Sequence, residues 1–437
     1  MNFKNIAKTP PMGWNSWDCY GASVTEEEVI ANAQYMAKNL QEFGWEYIVV
    51  DIQWYEPEAK SSIYNGFFPL EMDQYSRVMP AVNRFPSAKN GQGFKPLADK
   101  IHALGLKFGI HIMRGIPRQA VHQNTPIKGT IKTARDIAHI NSICPWNTDM
   151  YGVDATKEGA QAYYDSLFEL YASWGVDFIK VDDIADSRLY GIHLPEIEMI
   201  RKAIDGCGRE MVLSLSPGPA PIEYAEFLKN HANMWRMTDD FWDKWSNLYP
   251  MFERCAKWAE HVGDGSWPDC DMLPLGHIGI RSVDGFWDEM PFDLTIMKDR
   301  YCRFTKDEQK TMMTLWCIFR SPLMFGGELR DNDEWTNSLL TNKELLHMHQ
   351  TITKSYQASR QGDMVIWQGI AKDKVYLAAF NTGEEQLDIN LSLSEYGIFE
   401  CTNILDVWNS EEIEVEKNIK ASLPPHGAAL FKMEKDK

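Results

Sequence analysis

A chain of 437 residues, 44% hydrophobic and 24% charged, is long enough for one large core plus a smaller unit and has the composition of a globular protein rather than a disordered one. The formal net charge of -18, with no Lys/Arg cluster to interrupt it, repels a phosphate backbone and excludes nucleic acid as an expected partner. No stretch approaches the about 18 consecutive apolar residues of a membrane span, the first residues MNFKNIAKTPPMGW hold no signal-peptide core, and the eight cysteines stand without a C-x-x-C pair. The expectation is a cytoplasmic protein with reduced thiols and no membrane partner, with homo-oligomerisation left open.

From residue 10 to 330, short β-like runs alternate with longer helical patterns. A first strand is predicted at Met12–Trp17, followed by a helix at Thr25–Phe43, a strand at Tyr47–Trp54, a helix at Lys95–Leu104 and a strand at Lys107–Met113. Residues Gly115–Asp154 read as a long irregular segment over the mouth of the sheet. Beyond it come a helix at Gly159–Trp174, a strand at Phe178–Asp183, a helix at Leu194–Ile204 and a strand at Met211–Pro217. The pattern ends with a helix at Ile222–Lys229, strands at Met234–Asp240 and Gly265–Leu273 around a helix at Met251–Val262, a helix at Lys306–Ile318 and a strand at Pro322–Gly327. Eight such units favour an α/β fold of the (β/α)8 TIM-barrel type over residues 1–345, and the absence of G-x-G-x-x-G after the first strand removes the support for a dinucleotide fold. After Leu345 the runs shorten and turn signals such as Asn381-Thr382-Gly383 separate them, which predicts a C-terminal antiparallel β-sandwich over residues 346–437.

Several predicted strands end in polar residues at alternate positions. Successive strand side chains face opposite sides, so Lys180 shares a face with Asp182, Arg236 with Thr238 and Asp240, and Trp267 with Asp269 and Asp271, while Asp51 closes the run Tyr47–Val50 and His111 lies near the end of the third strand. A lone K-x-D reads most simply as a structural ion pair. Charges from five strand ends on one barrel rim would be costly unless they answered one another or a ligand, so convergence points to a site. Aspartates with one Lys, one Arg and nearby aromatics such as Trp17 and Trp54 suit hydrolysis at an anomeric carbon, where one carboxylate attacks and a second protonates the leaving oxygen. Lys180 favours the ionised form of Asp182, and Asp240, sharing its surroundings with other carboxylates, suits the acid. No H-x-H or H-E-x-x-H spacing is present, so neither a metal nor another cofactor is expected. A non-catalytic sugar binder would need only the aromatics and the polar rim.

The ordered motifs Pro11-Met12-Gly13-Trp14-Asn15-Ser16-Trp17, Lys180-Val181-Asp182, Arg236 four before Asp240, and Trp267-Pro268-Asp269-Cys270-Asp271-Met272-Leu273 resemble glycoside hydrolase family 27, which contains α-galactosidases and α-N-acetylgalactosaminidases. The resemblance implies a retaining exo-α-glycosidase of the α-galactosidase type, with a carbohydrate substrate, Asp182 as nucleophile, Asp240 as general acid/base, and carboxyls roughly 5 to 6 Å apart. It further implies that Trp17 offers an apolar face to the sugar, that Asp51, Lys180, Arg236 and Asp271 bond its hydroxyls, and that Asp183 and Asp239 face away. The chain departs from the family pattern at three places. Ile52 stands where a second aspartate binds galactose hydroxyls, His111 stands for a tyrosine, and Ser216-Pro217-Gly218-Pro219-Ala220 puts small residues where a 2-acetamido group could fit. His111 and Ser216 are thus expected to contact substrate, and Arg114, Arg118 or Trp146 to stand in for the missing ligand. The alternatives are α-N-acetylgalactosamine or β-L-arabinopyranose, the galactose-shaped pentose without a C6 hydroxymethyl, cleaved by the same mechanism.

Overall fold

The computed structural model describes residues 2–187, 189–263, 265–281, 298–399, 401 and 403–434. Its centre is a parallel sheet of β1 (Met12–Asn15), β2 (Tyr47–Val50), β3 (Lys107–Met113), β4 (Phe178–Asp182), β5 (Val212–Leu215), β6 (Met234–Arg236), β7 (Trp267–Asp269) and β8 (Leu323–Phe325), hydrogen-bonded in the order β7-β6-β5-β4-β3-β2-β1-β8. Just past β7, Leu273 bridges Phe325 of β8 in parallel, its N–H donating to the Met324 carbonyl at 2.8 Å, and the Gly326 N–H donates to the Leu273 carbonyl at 3.0 Å. These bonds close the sheet into the (β/α)8 barrel that the alternation of elements predicts.

Around it lie α1 (Glu26–Asn39), α2 (Lys95–Ala103), α3 (Ala160–Trp174), α4 (Leu194–Gly206), α5 (Ala225–His231), α6 (Met251–Trp258) and α7 (Lys306–Phe319). Local chemistry sets their ends. Thr25 and Glu28 form a capping box that starts α1, Thr305 and Glu308 do the same for α7, and Gly175 takes a φ of 84° to stop α3 before β4. Among the described residues no helix is long and apolar enough to cross a membrane.

The period-two alternation of the strands separates two cores. Outward-facing Ile48, Val50, Ile179, Val181, Leu213 and Leu215 pack against the helices, whereas Tyr47, Val49, Phe178, Val212, Met234, Trp267 and Met324 fill the barrel interior as a separate cluster. The floor of that interior is closed by Ala7, whose carbonyl accepts the Trp267 indole N–H at 2.8 Å. Two residues further along five of these strands the inward positions turn polar: Asp51, Lys180, Ser214, Arg236 and Asp269 stand above the apolar plug. The buried interior thus has an oily base and a charged upper layer.

The segment Gly115–Asp154 is not irregular. It folds into a three-stranded antiparallel sheet of Ile116–Pro117, Met150–Val153 and Ala138–Ile143, with short helices at Arg118–Gln123 and Ala134–Ile137. Its pairing shifts register between His139 and Ile143, and three consecutive residues of that strand are exposed, so no alternation marks it in the sequence.

A helix α8 (Lys343–Thr351) spans the expected 345/346 boundary and leads into an antiparallel β-sandwich. Its larger sheet runs β9 (Lys354–Gln361), β10 (Met364–Ile370), β11 (Lys374–Asn381), β16 (Ala428–Glu434), β13 (Asn403–Asp406) and β14 (Glu411–Ile413), and β12 (Leu387–Ser392) pairs with β15 (Asn418–Leu423). Ile366, Val375, Leu377 and Phe431 face the smaller sheet. The alternate residues Val365, Trp367, Tyr376, Ala378, Phe380 and Leu430 join the barrel's outer core, with Trp367 edge-on to Phe319 of α7 at 6.2 Å. Burial on both faces explains the unbroken apolar run Val375–Phe380. Trp367→Ala, which empties a fully buried site at this junction, should therefore destabilise the protein by about 3–5 kcal/mol in equilibrium unfolding; a loss under about 1 kcal/mol would contradict the packing described.

Candidate active site

Asp51, Lys180, Asp182, Arg236 and Asp271 open on one cavity of about 190 Å³ at the carboxyl side of the barrel. Its walls include the polar residues Asp18, Asp51, Lys180, Asp182, Arg236, Asp239, Asp240 and Asp271 and the aromatic residues Trp17, Tyr64 and Trp146.

At the centre, Asp182 at the end of β4 is held by three neighbours. His111 Nε2 lies 2.8 Å from Oδ2, the Ser216 hydroxyl donates to Oδ1 at 2.6 Å, and Lys180 stands two residues back on the same face. Burial opposes ionisation, but the Lys180 charge and the bonds from His111 and Ser216 outweigh it and hold the Asp182 carboxyl well below the usual range. An ionised carboxylate only accepts hydrogen bonds, so the proton between them sits on His111 Nε2. Lys180 Nζ in turn donates to Asp51 Oδ2 at 2.8 Å, and Asn15 Nδ2 donates to the same oxygen at 2.6 Å. Burial disfavours both charges, yet each partner keeps the other ionised: Asp51 is lowered and Lys180 raised.

Arg236 organises the opposite side. Its Nη1 lies 2.7 Å from Asp271 Oδ1 and its Nη2 donates to Asp240 Oδ1 at 3.1 Å. Burial pushes the Asp271 carboxyl up to about 7, with Arg236 opposing and repulsion from Asp240 and Asp269 adding to the rise. Asp240 is solvent-open, its side chain 64% exposed at the cavity rim, while Asp182 beneath it is 8% exposed overall.

Several expectations need correction. His111 is fully buried behind Asp182 and does not line the cavity, so it supports the carboxylate instead of touching a sugar. Ser216 is likewise spent on Asp182, and the wall there is Pro217, so the small residue at 216 does not itself open space for an acetamido group. Trp54 belongs to the outer core, its indole N–H donating to the His111 carbonyl at 2.7 Å. Strand β6 stops at Arg236, so alternation does not extend to Asp239 and Asp240, and both line the cavity; Asp239 does not face away. Asp183 does: its φ of 58° turns the side chain to Arg114, 2.8 Å away. Arg114 is thereby committed to Asp183 and Glu196, and Arg118 lies between Phe67 and Tyr151 in a separate groove, so of the three expected stand-ins only Trp146 reaches the cavity.

Two further residues of the site carry little signal in the sequence. Tyr64 stacks on Trp17 (centroids 5.5 Å, 18° between planes) and packs against Trp146 at 5.5 Å, so the apolar wall is a trio and one face of Trp17 is already covered. Its one signal is its place in a loop after a barrel strand, where sites collect. Asp18 is masked by a pattern that runs the first strand to Trp17, whereas Trp17–Tyr20 is a short helix that turns Asp18 inward.

The raised Asp271 carboxyl gives a signed test. In the unfolded chain it would titrate near 3.8, so its contribution to stability is complete below that pH and is lost as pH rises through about 7. The melting temperature of Asp271→Asn minus that of the wild type should therefore increase between about pH 5 and about pH 8; a difference flat across that window would contradict the raised value.

The chain matches the family model described as Alpha galactosidase A over residues 152–299 and that of the Alpha galactosidase C-terminal beta sandwich domain over 361–433. Alpha-galactosidase 2 of Arabidopsis thaliana is 24% identical, over 99% of this chain and 91% of its own. The solved GH27 β-L-arabinopyranosidase of Geobacillus stearothermophilus is 65% identical, covering 99% of this chain and 98% of that one with a TM-score of 0.95, and a variant of it has been solved in complex with arabinose. A Bacillus halodurans protein ascribed α-N-acetylgalactosaminidase activity is 60% identical over 98% of this chain and 97% of that one, with a TM-score of 0.86. Full-length identity at this level, on a barrel whose ordered motifs converge on one cavity, makes this chain a member of glycoside hydrolase family 27 and a glycosidase.

Proposed function

We propose that the enzyme is an exo-acting, retaining glycosidase whose preferred terminal sugar is β-L-arabinopyranose, with α-galactosides as weaker substrates. The observation that carries this reading is the end of β2. Asp51 enters the cavity, but Ile52 does not line it; its side chain is buried in the outer core, so the position where the family resemblance puts a second galactose-binding carboxylate holds no polar group. A site that lacks a partner for a hydroxyl loses the binding that partner would supply, and β-L-arabinopyranose is the galactose-shaped ring without the C6 hydroxymethyl. The 65% identity to the Geobacillus β-L-arabinopyranosidase supports the same choice.

In this reading Asp182, ionised and fixed by His111, Ser216 and Lys180, attacks the anomeric carbon, while Asp240 at the open rim gives its proton to the departing oxygen. The C–O bond to the aglycone breaks as the bond to Asp182 forms. Water then enters on the rim side, loses a proton to Asp240 and displaces Asp182 from the same carbon, so two inversions give net retention. The Ser216 hydroxyl is engaged with Asp182 rather than turned to an acetamido group, which supports the pentose over the N-acetylgalactosamine alternative.

The test is a panel of nitrophenyl glycosides. The β-L-arabinopyranoside should be cleaved with a kcat/KM at least about tenfold above the α-D-galactopyranoside. A galactoside preference would overturn the sugar assignment, turnover confined to the N-acetylgalactosaminide would favour that alternative, and no turnover of any would favour a sugar binder.

A further inference from the structure

The polar layer of the barrel has a gap. Counting inward positions along each strand, β2 brings Asp51, β4 Lys180 and Asp182, β6 Arg236 and β7 Asp269 and Asp271, but β8 follows Met324 with Gly326, which has no side chain. The gap is not empty. The carboxyl of Asp18 lies over Gly326, so close that a Cβ placed there would sit 2.1 Å from Asp18 Oδ2. The glycine is what lets that carboxyl in.

Asp18 is 7% exposed and lines the cavity, and Oδ2 has no hydrogen-bond partner among the described residues. Its main chain has a structural task, since the Asp18 carbonyl accepts from the Gly279 N–H at 2.7 Å, but that task would be met by any residue. Oδ2 is packed against Gly326 without solvent-accessible surface, so contact with a ligand falls to the part of the carboxyl that lines the cavity. We propose that Asp18 is a further sugar-contacting residue of this site, whose carboxyl fills the gap above β8 and hydrogen-bonds a ring hydroxyl of the terminal galactose-shaped sugar.

The surroundings suit a neutral partner for a hydroxyl. Burial and the neighbouring charge of Asp271 push the Asp18 carboxyl well above its ordinary value, against the pull of Lys180 and Arg300, with Asp51 adding to the rise. A protonated carboxyl both donates and accepts, and so does a sugar hydroxyl. Asp18, Asp51 and Asp271 line the same cavity, so Asp18 adds a third carboxyl to its wall, above β8.

The inference rests on the glycosidase reading of the cavity but not on which sugar wins. KM and kcat are measured for the wild type, Asp18→Leu and Asp18→Asn on nitrophenyl β-L-arabinopyranoside and α-D-galactopyranoside. Leucine keeps the branched shape and removes the hydrogen bond, so KM on the preferred glycoside should rise about tenfold while kcat changes less than about threefold. Asparagine, neutral and able to donate and accept, should restore KM to within about threefold of the wild type. A purely structural role would not split KM from kcat or be rescued by the amide. A wild-type KM in Asp18→Leu would overturn the proposal. If the wild type prefers the galactoside, the sugar assignment fails and the role of Asp18 is decided by KM on that substrate. Should the leucine variant fail to fold, Asp18→Ser is small enough for the space and too short to reach the sugar: a raised KM then supports the contact and an unchanged KM overturns it.

Discussion

The carboxyls in the barrel outnumber the cations that face them. Asp18, Asp51, Asp182, Asp269 and Asp271 are all buried around Lys180 and Arg236, and low dielectric makes each uncompensated charge expensive. The layer resolves this by splitting its carboxyls into two kinds. Asp51 and Asp182, against Lys180 and its hydrogen-bonded neighbours, are held below their ordinary values, whereas burial pushes Asp18, Asp269 and Asp271 above theirs. One cation therefore secures the ionised group that attack on an anomeric carbon requires. Burial shifts the remaining acids toward the protonated form, in which a carboxyl can both donate to and accept from a hydroxyl.

That electrostatic division depends on the apolar plug beneath it. Tyr47, Phe178, Val212, Met234 and Trp267 fill the lower barrel and keep water from below, so the charges above answer only each other and whatever enters from the rim. The outer core, continuous from the helices into the larger sheet of the C-terminal sandwich, fixes the strands whose ends carry the site. Asp240 is the exception: it stays open to solvent, as the proposed exchange of protons with a leaving group and then with water requires.

What can be read in the sequence follows the reach of one rule. Period-two alternation is a property of strands, and where the strand persists it correctly pairs Lys180 with Asp182; Asp183, one residue past the strand, faces away through its φ of 58°. Alternation fails where strands stop. Asp239 and Asp240 lie beyond the end of β6, Trp17 and Asp18 lie on a short helix, and Asp271 has a φ of 82°, so their directions are decided by turns that the pattern does not encode. His111 and Ser216 stand out in the sequence as departures from the family, but they serve Asp182 rather than the sugar. Alternation says which face a residue shares, not whether another side chain stands in front of it, and Asp182 stands in front of both. Tyr64 comes from a loop with no periodicity at all, and its role appears only when Trp17 and Trp146 are seen on either side of it.

Everything in this account turns on Asp182 being the ionised group that meets the anomeric carbon. The most direct measurement is mass spectrometry of the enzyme after reaction with a 2-fluoro-β-L-arabinopyranosyl donor carrying a good leaving group, which slows release of a covalent intermediate. A label on the peptide containing Phe178–Asp183, assigned to the Asp182 carboxyl, is the predicted result. A label on Asp240 or Asp271, or turnover with inverted configuration and no label, would contradict it.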